Sequence, residues 1–186
     1  MIVVDLGCYP HGHEISIERL IDRYAPDVLY GFDPYPDLIE GERTITRDRI
    51  GAGHKSVRVV LERKAAWTYD GEIEMALVPG ERAWDSTVMR DKNSRLEWRR
   101  GEVVTVPCFD LARWLRAVEP VGEGLILKMD VEGAEFPLCE HLIQTRTDVL
   151  VGRLFVEWHD LKMDYPPKRR AELEERLHCP VEEWVL

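Results

Sequence analysis

Three things are scarce in this 186-residue chain: cysteine in clusters, positive charge, and long apolar runs. Its four cysteines, Cys8, Cys108, Cys139 and Cys179, stand far apart with no CxxC spacing, which excludes a disulfide scaffold or a zinc ribbon and suits reduced, buried thiols. Lysine and arginine number 25 against 35 acids, and the formal net charge is -10. No broad positive field exists to attract a phosphate backbone, so nucleic acid is not expected as a partner. The "PPKRR" stretch at 166–170 precedes a Glu-rich helical pattern and is read as a solvated helix start. No apolar segment approaches the roughly 18 to 20 residues needed to span a bilayer. The opening "MIVVDLG" enters a strand pattern without a charged leader, and a cytoplasmic location is expected. Also missing are a GxGxxG dinucleotide fingerprint, a GK[ST] phosphate loop, internal repeats and low-complexity segments.

What is present alternates. Apolar, β-branched runs at 2–7, 28–34, 57–67, 124–131 and 152–159 are separated by helical patterns, and alternation of this kind predicts an α/β domain with a mostly parallel central sheet and helices on both faces. Helices are expected in "HEISIERLIDRYAP", "CFDLARWLRAVEP", "AEFPLCEHLIQ" and "PKRRAELEERLH". "YDG" at 69–71 reads as a turn between strand-like runs, giving a hairpin extension of the sheet. Residues 79–101 have no clear period and are read as a lid or a surface excursion. The whole chain, 1–186, is taken as one domain of an ordinary size.

Ligands of open α/β sheets bind beyond the carboxyl ends of the strands, so the residues ending each strand carry the functional signal. The first strand ends in "DLGCYPHGH", where Asp5, Gly7 and Gly12 precede a helix. The second ends in "GFDP", and Asp33 lies about twenty residues past the glycine turn, where an acid accepts hydrogen bonds from both ribose hydroxyls. A ribose acid without a pyrophosphate cradle points to S-adenosylmethionine rather than a nicotinamide cofactor. The fourth run, "LILKMDVEGAEF", ends in three acids: Asp130, Glu132 and Glu135. Glu135 is read as a first-turn helix residue suited to the positive end of the dipole. Glu157 and His159 in "VEWH" add an acid and an imidazole whose ordinary pKa of about 6.5 suits a general base. Asp130, Glu132, Glu157 and His159 are also residue types that ligate a divalent cation, though no metal is assigned.

In order along residues 3–159, "VVDLGCYPHGHEIS", "YGFDPYP", "KAAWTYDGEIEMAL", "DSTV", "VVTVPCFDLARWL", "LILKMDVEGAEFPLCEHL" and "LFVEWH" resemble the motifs of the FkbM family of S-adenosylmethionine-dependent methyltransferases, with "KMDVEGAE" the most specific. The glycine loop is one residue longer than the family spacing and holds His11 and His13. The resemblance implies a single-domain, Rossmann-like class I methyltransferase fold. It implies that Asp5, Gly7 and the amides of Cys8 and Tyr9 bind the methionine end of the cofactor. Asp33 and Pro34 would meet the ribose, Ala66 and Trp67 the adenine, and Asp130 the sulfonium. Catalysis would then fall to Asp130, Glu132 and His159, with O-methylation of a hydroxyl on a small molecule or glycan as the expected reaction. A degenerate, noncatalytic binding or scaffold protein of the same Rossmann-like fold is the alternative.

Overall fold

A computed structural model describes residues 1–8, 16–38, 40–49, 53–78, 85–90, 102–118, 124–163 and 165–185. Ten strands run in chain order: β1 (Ile2–Leu6), β2 (Val28–Phe32), β3 (Gly41–Arg49), β4 (Gly53–Glu62), β5 (Ala65–Trp67), β6 (Gly71–Leu77), β7 (Glu102–Asp110), β8 (Leu125–Met129), β9 (Val151–Val156) and β10 (Val181–Glu183). Four α-helices accompany them: α1 (Ser16–Tyr24), α2 (Leu111–Val118), α3 (Glu135–Thr145) and α4 (Pro167–Arg176). Seven strands form one sheet in the order β10-β9-β8-β1-β2-β4-β3, parallel throughout except for the β3–β4 hairpin at its edge. The other three form a small sheet, β5-β7-β6.

The period of two along the central strands explains why both faces are covered. On β1, Val4 and Leu6 face one cluster, joined by Leu125, Leu127 and Met129 of β8 and by Leu115, Phe136, Leu142 and Leu173 from α2, α3 and α4. Val3, Leu29 and Ile126 face the other side, against Ile17, Leu20 and Ile21 of α1. All five residues of β8 are buried. Truncating Leu127 to alanine at this centre costs about 2–5 kcal/mol by the usual cavity penalty. Among the described residues, no helix is long and apolar enough to cross a membrane.

Chain order turns at β1, which pairs with β2 on one side and β8 on the other. The carboxyl ends of β1 and β8 therefore flank the point where strand order reverses, the usual place for a ligand crevice in such sheets.

Three expectations need correcting. The 57–67 run is not one strand: it breaks after Glu62, and Ala65–Trp67 leaves the main sheet to pair in parallel with β7. The turn at 69–71 does not close a hairpin, because β7 lies between β5 and β6, using its residues 108–110 for one and its residues 102–108 for the other. β3, which pairs with β4 in a hairpin, lies where no strand was expected, since Gly41–Arg49 is charged and carries one large apolar residue, Ile45. Such polarity suits an edge strand, and Glu42 pairs with Arg58 across the hairpin at 2.7 Å.

Candidate active site

The site starts from a close backbone contact. Gly7, at the end of β1, has φ +77°, and a Cβ there would stand 1.7 Å from the carbonyl oxygen of Asp130. Only glycine permits this approach. Its amide donates to Phe32 O at 2.9 Å, and the Asp130 amide donates to Leu6 O at 3.1 Å, so the ends of β1, β2 and β8 are tied together.

Beneath this junction lies Lys128, 1% exposed. It stands directly opposite Asp5 in the β1–β8 register. Its ammonium donates to Gly7 O at 2.9 Å and pairs with Asp5 Oδ1 at 3.0 Å and Asp130 Oδ2 at 3.5 Å. Burial opposes the charge on Lys128, but the two carboxylates outweigh it and hold its pKa above the ordinary lysine value. Burial raises the Asp5 pKa, and Lys128 with the Ser16 hydroxyl offsets part of that rise. The carboxylate expected to meet the cofactor is thus turned inward onto Lys128 and Ser16, while neighbouring Gly7 lies on the cavity wall. Cys8 is also buried, packed with the α1 cluster. Burial, with Asp5 and Asp33 nearby, pushes its thiol well above the usual range. Tyr9, His11, Gly12 and His13 lie outside the described residues.

Above the junction opens a cavity of about 360 Å³, within the size range of small-molecule sites. The strand ends supply its wall in succession: Gly7, Asp33, Ala66, Asp130 and Glu157. Asp33 closes a turn by accepting the Tyr35 amide at 2.9 Å, and Pro34 beside it also faces the cavity. Alanines at 65 and 66 leave room where a larger side chain would fill the space. Trp67 does not line the cavity; it packs between the main core and the small-sheet cluster, as a large aromatic at a strand end commonly does. Trp114 packs edge-on against Phe32, and Trp98 lies outside the described residues.

The acids of "KMDVEGAE" separate into different jobs. Asp130 is half-buried on the cavity wall. Glu132 adopts φ +54°, a left-handed conformation uncommon for its type and characteristic of functional loops. Its carboxylate takes Lys162 Nζ at 3.0 and 3.1 Å, and its carbonyl takes the Thr87 hydroxyl at 2.7 Å. Glu135 is fully buried at the start of α3 and reaches back to the amides of Val131 at 2.8 Å and Gly133 at 2.9 Å, so it secures the loop. Gly133, at φ +105°, lets that loop pass Met163, whose sulfur would lie 2.5 Å from a Cβ.

His159 is held by acids on both ring nitrogens. It is 4% exposed, with Nδ1 2.9 Å from Glu135 Oε1 and Nε2 3.3 Å from Glu132 Oε1. Burial disfavours its charge, but Glu132 and Glu135 outweigh that effect and push its pKa to about 10. Glu157 behaves oppositely: burial, reinforced by the adjacent Asp130 carboxylate, pushes it up to about 7.

Three contributors escaped the sequence. Thr87 bridges to β6 through Ala76 and reaches Glu132, so Ser86, Thr87 and Val88 wall the cavity; within the 79–101 segment only residues 85–90 are described. Lys162 ties Glu132 to Asp85, which lies 3.4 Å away, and nothing local in the sequence marks it. Lys128 did carry a signal, since a lysine within a wholly apolar strand demands a buried partner.

Against known proteins, the family model described as the methyltransferase FkbM domain matches residues 13–177. No curated protein and no solved structure matches the chain.

Proposed function

Because the chain belongs to the methyltransferase FkbM domain family, we propose that it is an S-adenosylmethionine-dependent O-methyltransferase acting on a hydroxyl of a small molecule or glycan in the cytoplasm. We assign residues 1–186 to one Rossmann-like class I domain. The carrying observation is that Gly7, Asp33, Ala66 and Asp130, ends of four strands far apart in sequence, meet on one cavity. The residues fit the cofactor: Asp33, oriented by the Tyr35 amide, accepts the ribose hydroxyls, and Ala65 and Ala66 leave a slot for a flat ring. When bound, S-adenosylmethionine supplies a methyl group on a cationic sulfur.

Asp130, on the cavity wall at the end of β8, would offset the positive charge of the bound cofactor. Asp130 and Glu157, on the same wall, would hold an acceptor hydroxyl and take its proton. Glu132 and Lys162 shape the acceptor side.

Isothermal titration with S-adenosylmethionine and with S-adenosylhomocysteine tests the reading. Saturable binding of both supports it. No heat with either supports the noncatalytic scaffold instead.

A further inference from the structure

The His159 ring is held in one orientation by carboxylates on both of its edges. Glu135, fully buried and anchored by the Val131 and Gly133 amides, receives Nδ1 at 2.9 Å and thereby fixes the ring plane. Nε2 is left directed at the acids, 3.3 Å from Glu132 Oε1 and 3.9 Å from Glu157 Oε1. The approach to Glu132 lacks hydrogen-bond geometry, and Nε2 is buried with no hydrogen-bond partner among the described residues. Glu157 Oε2 is buried in the same state.

Carboxylate on one ring nitrogen and a converging acid group on the other is how proteins orient a histidine toward a metal. One donor atom each from Asp130, Glu132 and His159 lies within 4.8 Å of the other two. Three ligands spread evenly at about 2.2 Å from a common ion stand at most about 3.8 Å apart, so loading draws the farthest pair together by up to about 1 Å, within the reach of side-chain rotation.

We propose that Asp130, Glu132 and His159 bind one divalent cation of the Mn²⁺ or Mg²⁺ class, with Glu135 as the positioning residue behind His159. Two carboxylate oxygens and one imidazole favour Mn²⁺ over the sulfur-seeking metals and over Ca²⁺, which takes more oxygens. Two ionised carboxylates balance the ion's charge. Asp130 and Glu132 both line the cavity, so the coordination positions left by three protein ligands open onto it. Resting on the methyl-transfer reading, the cation's task is to bind the acceptor hydroxyl and lower its pKa before attack. The site itself does not depend on that reading.

The test is Mn²⁺ titration of the full chain after EDTA stripping, followed by loss of the free-ion electron paramagnetic resonance signal, with no cofactor present. Saturation at one equivalent is expected. Asp130→Asn, nearly isosteric and half-buried, and His159→Gln should each weaken binding at least tenfold, and Glu135→Gln about 10–100-fold, as loss of an orienting carboxylate does. Unchanged melting by circular dichroism certifies the fold of each variant. No saturable Mn²⁺ binding overturns the site. So does equal binding by wild type and Asp130→Asn, which would assign the ions to the acidic surface. Titration of the same stripped sample with S-adenosylhomocysteine separates the two claims: cofactor binding without Mn²⁺ binding removes only the cation, and the reverse removes only the cofactor.

Discussion

Two charged clusters meet at Asp130 and are built on opposite terms. Around Lys128, one cation faces Asp5 and Asp130, with Asp5 and Lys128 sealed between α1 and the sheet. Around His159, the acids Glu132, Glu135 and Glu157 converge with Asp130 on one imidazole, and Lys162, half-exposed, reaches in from the cavity side. The first cluster centres on one buried cation and meets the cavity along its edge, through Ser16, Lys128 and Asp130. The second centres on an imidazole among four acids and meets the cavity through Asp130, Glu132, Glu157 and Lys162. The lysine-centred set ties strand ends together, whereas the acid-rich set faces the ligand space. Asp130 belongs to both, which lets a core lysine hold a cavity-wall carboxylate in place.

The sharpest way to break the comparison is Lys128→Met. It leaves Asp5 buried without its cation, and stability should fall by about 3–5 kcal/mol in urea unfolding. Replacing both members, Asp5→Leu with Lys128→Met, should recover a large part of that loss, because an apolar pair carries no desolvation penalty. Asp130→Asn works from the other cluster: turnover should fall about 10²–10⁴-fold in a methyl-transfer assay while the melting temperature stays close to that of wild type. Wild-type turnover would take Asp130 out of the chemistry. Asp33→Ala removes a charged acceptor of ribose hydrogen bonds, worth about 1.5–3 kcal/mol, and should weaken S-adenosylhomocysteine binding tenfold or more by calorimetry. The smallest effect belongs to Trp67→Phe, whose side chain sits in the core and off the cavity wall. Cofactor affinity should not change; a loss as large as that of Asp33→Ala would place the indole at the ligand after all.

The strand ends were legible because each lies at a local change of pattern. Gly7, Asp33 and Asp130 all follow apolar runs, and a parallel sheet collects such positions along one edge. Four helices appeared where the apolar spacing put them, although α2 begins only at Leu111, since Cys108–Asp110 is needed by β7. The small sheet was not legible. Its middle strand comes from residues 25 to 43 positions beyond their partners, and nothing within β5 or β6 says that a third strand will separate them.

His159 shows the same limit at the scale of one side chain. Its residue type and its place after a strand suggest a base near neutral pH. Glu135, twenty-four residues earlier, supplies the contact that helps move its pKa to about 10.

By itself, the sequence determined the α/β class, the places of four helices, and the row of small and acidic residues at strand ends, because those follow from periodicities of two and 3.6 and from local turn chemistry. The tertiary structure alone decided which charge meets which. Register sets Lys128 against Asp5 and brings Glu132, Glu135, Glu157 and His159 together, and register depends on pairing between segments that carry no local record of each other.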